Sequence, residues 1–333
     1  MQRYQAKTEF GEVPVHVLHP GAFGGEYQKR SLAYIGFLWF TGIYSCAMNV
    51  SQALFRKNLN GKRKVPLGRV LWEMGRDSSH VSCCFCDRFS RHNKRAKWGA
   101  AGWQSLDLFY NYHEKTKPLL KNDLEGLLTR FWIERMENRQ AVTNRLKIVV
   151  NLLVETYGNF TGAPEIRLLS VASGSAQAVI MSMQRNPDLN VRAFLIDSDA
   201  GAIAEAKRLV NDAGLDARFS FLQATTKALE EVAATFKPHI IEMVGFLDYR
   251  PKEKAVLLID RIRNHLTEEG VFITCNIRKN REKIFLDWLL LWPMIYRNEA
   301  ELAELLLRGG FSQDNIRLIY EPFKIHGIAV CRK

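Results

Sequence analysis

The chain has 333 residues, 47% hydrophobic and 25% charged, with no low-complexity tract or internal repeat. That composition supports a buried core and excludes disordered, collagenous and disulfide-framed classes. The net charge of +12 lies wholly in residues 1–150, which hold 24 Lys/Arg and 12 Asp/Glu, whereas residues 151–333 hold 23 of each.

Taken in chain order, the first feature is an uncharged run of 20 residues, Ser31 to Val50. It follows Lys29 and Arg30 and ends in no small-residue cleavage site, so a secretory signal peptide is not expected. A helix of that length would cross a bilayer core, and the basic residues after it would leave the rest of the chain on the cytoplasmic side. Yet Thr41, Ser45, Asn49, Gln52 and Arg56 fall three or four apart and would form one polar stripe. The run therefore has three readings: membrane-spanning, lying in a membrane surface, or buried in the protein.

Arg56 to Lys97 carries 12 basic and 3 acidic residues. It suits an anionic partner (lipid head groups, nucleic acid or an acidic substrate) or a solvated basic surface. His80, Cys83, Cys86 and His92 imitate zinc-ligand spacing, but the second pair lacks the usual paired geometry and Cys84 is left over, so no metal is expected. The remaining cysteines, Cys46, Cys275 and Cys331, are far apart, which points to a reducing, cytoplasmic compartment.

Residues 57–100 read as loop-rich with short helices, so that 1–100 forms a basic N-terminal extension. Trp103, Leu106, Phe109 and Tyr110 open a helical pattern that continues through Leu119 to Trp132 and Val142 to Leu153. Spacings of three and four describe amphipathic helices, here a helical cap over residues 101–160. From residue 161 apolar runs alternate with helical segments. Strands are predicted at 166–172, 191–196, 219–222, 239–244 and 270–275, with a helix after each of the first four. A helix at 299–307 precedes two final strands, 316–320 and 327–331. Such alternation builds a mostly parallel α/β sheet covered on both faces, and the last two strands, lacking a helix between them, predict an antiparallel hairpin at the edge. Ligands bind such sheets beyond the C-terminal strand ends.

Residues 161–333 resemble the class I S-adenosylmethionine-dependent methyltransferases, a Rossmann-like fold. The family's first motif reads acidic residue, any, Gly, any, Gly, any, Gly; here it is Ser170-Val171-Ala172-Ser173-Gly174-Ser175-Ala176, with one glycine kept and a serine at the acidic position. Asp197 ends the second strand 27 residues after Ser170 and matches the family's ribose-binding carboxylate, with Ser198 beside it. Asp199 or Ser198 is the better helix N-cap. The third motif aligns with Leu222-Gln223-Ala224-Thr225 and lacks its acid, and Glu242 to Tyr249 resembles the fourth without the signature of amino-directed nucleic-acid methylases. A nicotinamide-dependent oxidoreductase would show a fuller glycine fingerprint.

The resemblance implies S-adenosylmethionine as cofactor, held by Ser170, Ala172, Ser173, Gly174, Asp197, Ser198, Ala224, Thr225, Glu242 and Met243. Asp248, Tyr249 and Tyr296 are candidate catalytic groups, and Tyr110, Tyr112, Arg139, Asn144 and Arg297 candidate substrate contacts. The expected reaction is methyl transfer to a small-molecule or lipid-like acceptor, with membrane contact through 31–50 and 56–97. Two further readings stay open: aminocarboxypropyl transfer or cyclisation, which releases methylthioadenosine, and nucleic-acid methylation.

Overall fold

The computed structural model describes residues 2–28 and 89–333 and, between them, positions 32, 34–40, 42, 43, 47 and 50. Cys46, His80, Cys83, Cys84, Cys86 and most of the basic 56–97 segment lie outside the described residues. The chain divides into two compact units. One comprises 1–26, 144–279 and 295–333, and the other 27–143 and 280–294. Both are discontinuous, a division that sequence periodicity alone does not convey.

The first unit is built on a nine-stranded sheet: β1 (Gln2–Thr8), β2 (Gly11–Val17), β3 (Ile166–Val171), β4 (Val191–Asp197), β5 (Phe219–Gln223), β6 (Ile240–Met243), β7 (Val271–Ile277), β8 (Ile316–Tyr320) and β9 (His326–Arg332). Their spatial order is β1-β2-β8-β9-β7-β6-β3-β4-β5. Neighbours from β7 to β5 run parallel, and β9 is antiparallel to both β7 and β8. The C-terminal hairpin is therefore present, but β8 is not the sheet edge. β2 pairs with it in parallel, and β1 pairs with β2 in turn. Alternation at Val13, Val15 and Val17, all buried, was the sequence signal for β2. Pro14 interrupts it without cost to that ladder, because β8 pairs only with Val15–Val17.

Helices cover both faces of this sheet. On one side lie α5 (Gln177–Gln184), α6 (Ala200–Asp212) and the C-terminal part of α4 (Glu137–Tyr157), through Leu153, Val179, Ile180, Ala206 and Val210. On the other lie α7 (Leu229–Phe236), α8 (Lys252–His265) and α10 (Glu299–Arg308), through Ala233, Ile259, Ile262 and Leu302. Strand order reverses between β3 and β6, so a crevice opens at their C-terminal ends.

The second unit holds α1 (Arg91–Trp98), α2 (Trp103–Tyr110), α3 (Leu124–Thr129), α9 (Lys283–Trp288) and helical residues at 34–40. Tyr34 and Phe37 are buried in an aromatic cluster. Phe37 lies 5.4 Å from Trp132 and 5.3 Å from Phe285, centroid to centroid. Leu32, Trp39 and Ile43 are exposed. No helix among the described residues is long and apolar enough to cross a membrane. The described part of the 31–50 run thus has one buried aromatic face and one exposed apolar face, while Thr41, Ser45 and Asn49 lie outside the described residues.

Candidate active site

β3 delivers its chain into the loop 172–176, which folds back at three alternate positions. Ala172 (φ 53°), Gly174 (φ 54°) and Ala176 (φ 53°) all adopt left-handed backbone. These are the three positions at which the resembled motif has glycine. Left-handed backbone is therefore held by alanine at two of these turns, although a Cβ there costs on the order of 1 kcal/mol. The loop is tied to β4 by the Asp197 carboxylate. Oδ2 accepts from the Gly174 N–H at 2.8 Å, and Oδ1 from the Asp199 N–H at 2.9 Å. Asp199, not Asp197, caps α6 by accepting from the Gly201 N–H at 2.7 Å. Asp197 is half-exposed and Ser198 exposed. Each Asp197 oxygen retains a lone pair beyond its backbone bond. The Ala224 N–H donates to the Asp197 carbonyl at 2.9 Å, which brings the Ala224–Thr225 turn beside it; Thr225 Oγ1 accepts from the Lys227 N–H.

The central pair of the crevice is Ser170 and Glu242, register partners on β3 and β6. Ser170 Oγ donates to Glu242 Oε2 at 2.5 Å. A carboxylate thus stands beside the serine at the acidic position on β3, carried by its neighbour across the ladder. Burial pushes Glu242 up to about 7, against the Ser170 bond, the Val244 N–H and the charge of Arg145. Met243, the next residue, turns its side chain fully into the core.

Beyond β6, the turn Leu247–Tyr249 and the segment leading into α10 are laced to the end of β7. Asp248 Oδ1 accepts from the Ile277 N–H at 2.7 Å, and the Asp248 carbonyl accepts from the Ile295 N–H at 2.7 Å. Burial pushes Asp248 up to about 6, opposed by the Ile277 bond and the charges of Arg145 and Arg297. Arg297 donates to the carbonyls of Leu247 and Arg250 and to Asn276 Oδ1, fastening the turn from inside. Tyr249 and Tyr296, half-buried, stand on the two strands of backbone that these bonds join.

Other sequence candidates fall elsewhere. Asn144 clamps Glu26 through both its backbone N–H and its carbonyl, at 2.6 and 2.7 Å. Tyr110, Tyr112 and Arg139 belong to the second unit. There the Arg139 guanidinium lies over the Tyr112 ring at 5.0 Å and donates to the carbonyls of Ile133 and Glu134, and Tyr112 donates to Glu134. Arg145, whose charge reaches Glu242, Asp248, Cys275 and His326, was not singled out from sequence, nor were Cys275 and His326. They lie outside every motif, and only the register of α4, β7 and β9 brings them together.

No protein-family profile and no curated protein matches the sequence. Among solved structures, a Bordetella parapertussis protein described as a possible exported protein overlays with a TM-score of 0.60 at 15% identity, covering 88% of this chain and 96% of that one. An O-methyltransferase family protein from Burkholderia thailandensis gives 0.45 at 9% identity, over 69% and 71% of the two chains. The N,N-8-amino-8-demethyl-D-riboflavin dimethyltransferase of Streptomyces davawensis gives 0.42 at 14%, over 91% and 99%. The fold is Rossmann-like, a mostly parallel sheet with an antiparallel C-terminal hairpin. It rests on the strand order from β3 to β9, and the Bordetella likeness shows a shared fold without speaking to activity.

Proposed function

We propose that the chain is an S-adenosylmethionine-dependent methyltransferase acting on a small-molecule or lipid-like acceptor. The observation that carries this reading is the loop 172–176, which holds left-handed backbone at each glycine position of the motif, together with the Asp197 carboxylate fastened against it. The residues fit the cofactor. Asp197 keeps lone pairs for two ribose hydroxyls, the small side chains of Ala172, Ser173 and Gly174 leave the backbone approachable, and Ala224, Thr225 and Ser198 flank the same end of the crevice.

Bound S-adenosylmethionine supplies an already activated methyl sulfonium. The chain's contribution is then to orient the acceptor and exclude water, which supplies on the order of 7–11 kcal/mol in the best cases. Tyr249 and Tyr296 are assigned to the acceptor side, and Asp248 and Arg297 hold the backbone that carries them. Lipid-like acceptors remain in this reading because Leu32, Trp39 and Ile43 expose an apolar face close in sequence to the basic 56–97 segment.

The test is incubation of the purified full chain with S-adenosylmethionine, alone and with candidate acceptors, followed by mass spectrometry of the nucleosides. S-adenosylhomocysteine formed only with an acceptor supports methyl transfer. Methylthioadenosine formed with the cofactor alone overturns it in favour of chemistry on the aminocarboxypropyl group. Asp197→Ala is expected to weaken cofactor binding about tenfold or more in calorimetry.

A further inference from the structure

Residues 151–333 balance 23 Lys/Arg against 23 Asp/Glu, yet one place within them gathers positive charge. Lys254, Leu257, Leu258 and Arg261 fall three, four and seven apart and share one face of α8. Arg250, just before that helix, and Thr225, Thr226 and Lys227, just after β5, meet this face around a cavity of about 370 Å³. Four cations and two threonine hydroxyls line it, and among the described residues no carboxylate does.

Little in the fold answers these charges. Lys252, a neighbour outside the cavity, is paired with Glu304 at 2.5 Å, and Arg261 Nε meets Glu230 at 3.2 Å. Lys227, Arg250 and Lys254 have no ion pair among the described residues. Arg250 instead lays its guanidinium over the Phe246 ring, 4.1 Å from the centroid, which fixes its plane and leaves its N–H edge for an acceptor. Lys254 lies in the first turn of α8, whose N-cap, Pro251, makes no side-chain hydrogen bond. Cations at that positive end of the helix dipole add to their mutual repulsion, and an anion relieves both.

The chemistry of the lining selects the anion. Adenosine is uncharged, and S-adenosylmethionine sets an ammonium and a sulfonium against one carboxylate, so the proposed cofactor does not answer four cations. The oxygens of a phosphate group accept from several Lys, Arg and threonine donors at once. Leu257, 60% exposed, offers an apolar wall to the carbon part of an ester. A nucleic-acid track would extend positive charge along the surface, whereas this half of the chain is neutral as a whole.

We propose that this cavity binds a phosphate ester carrying at least two negative charges, at a site separate from that proposed for the cofactor. Thr225 is common to the two, and the inference does not depend on the cofactor.

The probe is inorganic pyrophosphate, titrated calorimetrically into the full chain at about 150 mM salt, where long-range attraction is screened. One equivalent is expected to bind with a Kd below about 1 mM. Lys254→Gln and Arg250→Gln should each weaken binding about tenfold or more. Arg332→Gln, the same charge change at an exposed position at the opposite end of the sheet, should alter it by less than about twofold. Lys254 is exposed, so its variant carries the test even if Arg250→Gln fails to fold. Displacement of the probe by vesicles containing phosphatidic acid identifies a lipid head group as the source of the phosphate, and displacement by glycerol phosphate a soluble ester; both uphold the site. Pyrophosphate that does not bind, equal weakening by Lys254→Gln and Arg332→Gln, or displacement by S-adenosylhomocysteine overturns the inference. So does single-stranded RNA that binds through Lys254 where pyrophosphate does not. Failure of the proposed cofactor to bind leaves every one of these outcomes unchanged.

Discussion

Ala172 sits half-exposed at a backbone angle that L-residues avoid, and the energetic consequence can be separated from its surroundings. Left-handed backbone costs a Cβ about 1–2 kcal/mol, while glycine adds about 0.4–1 kcal/mol of unfolded-state entropy. Ala172→Gly is therefore expected to stabilise the chain by about 0.5–1 kcal/mol in urea titration. Ala172→Val, β-branched, should destabilise it by about 2 kcal/mol. Equal midpoints for the two variants would mean that the loop does not hold this conformation in solution. Glu242 makes a second test, because its buried carboxyl titrates near 7 rather than in the usual range. A raised carboxyl pKa gives stability that is complete below the unfolded value near 4.5 and is lost as pH rises through about 7. The groups around it are Ser170, Arg145 and Tyr157. His326 acts the opposite way, losing stability as pH falls below 6.5. The comparison that isolates Glu242 is therefore the difference between wild type and Glu242→Gln. Wild type should gain on the order of a few kcal/mol over the variant as pH falls from 7.5 to 5; a constant difference would refute the raised pKa.

Helix α4 illustrates how an element is held by a residue remote in sequence. Its first residues, Glu137 and Asn138, donate their backbone N–H groups to the two carboxylate oxygens of Glu282 at 2.7 and 2.8 Å, and the Asn138 amide and the Tyr34 hydroxyl donate to the same group. A carboxylate at a helix N-terminus satisfies orphan donors and meets the positive end of the helix dipole. Glu282→Ala strands several buried donors, and the expected loss is about 2–4 kcal/mol by denaturant unfolding, with Glu282→Gln recovering much of it at low pH. A loss under 0.5 kcal/mol would show that other groups cap α4. The sequence could not reveal this cap, since helix-start signals are sought within three or four residues and Glu282 is 145 residues away from Glu137. The strands of the sheet were legible for the converse reason: β3 to β9 are short apolar runs bounded by turn residues. Asp197 stood out in the sequence as a carboxylate at a strand end, and in the structure it accepts from the Gly174 and Asp199 N–H groups. The pairing of Ser170 with Glu242 was not legible, because the two residues are 72 apart in sequence and adjacent only once the register is known.

At the scale of the whole molecule, what the sequence concealed is the discontinuity of both units and the first strand. β1 carries Gln2, Arg3, Gln5 and Lys7, its apolar alternation is limited to Tyr4 and Ala6, and only Ala6 is buried. Such a segment announces a sheet member only weakly, because only Tyr4 and Ala6 face the core, and pairing with β2 completes its place. That same polarity has a consequence for the behaviour of the protein at high concentration. Among the described residues the nine-stranded sheet ends at two edges, one being β5, only five residues long, and the other β1, which shows Arg3 and Lys7 to solvent. Charged, short margins repel a second molecule that would otherwise extend the ladder. The least distinctive strand in the sequence thus serves as a guard against self-association.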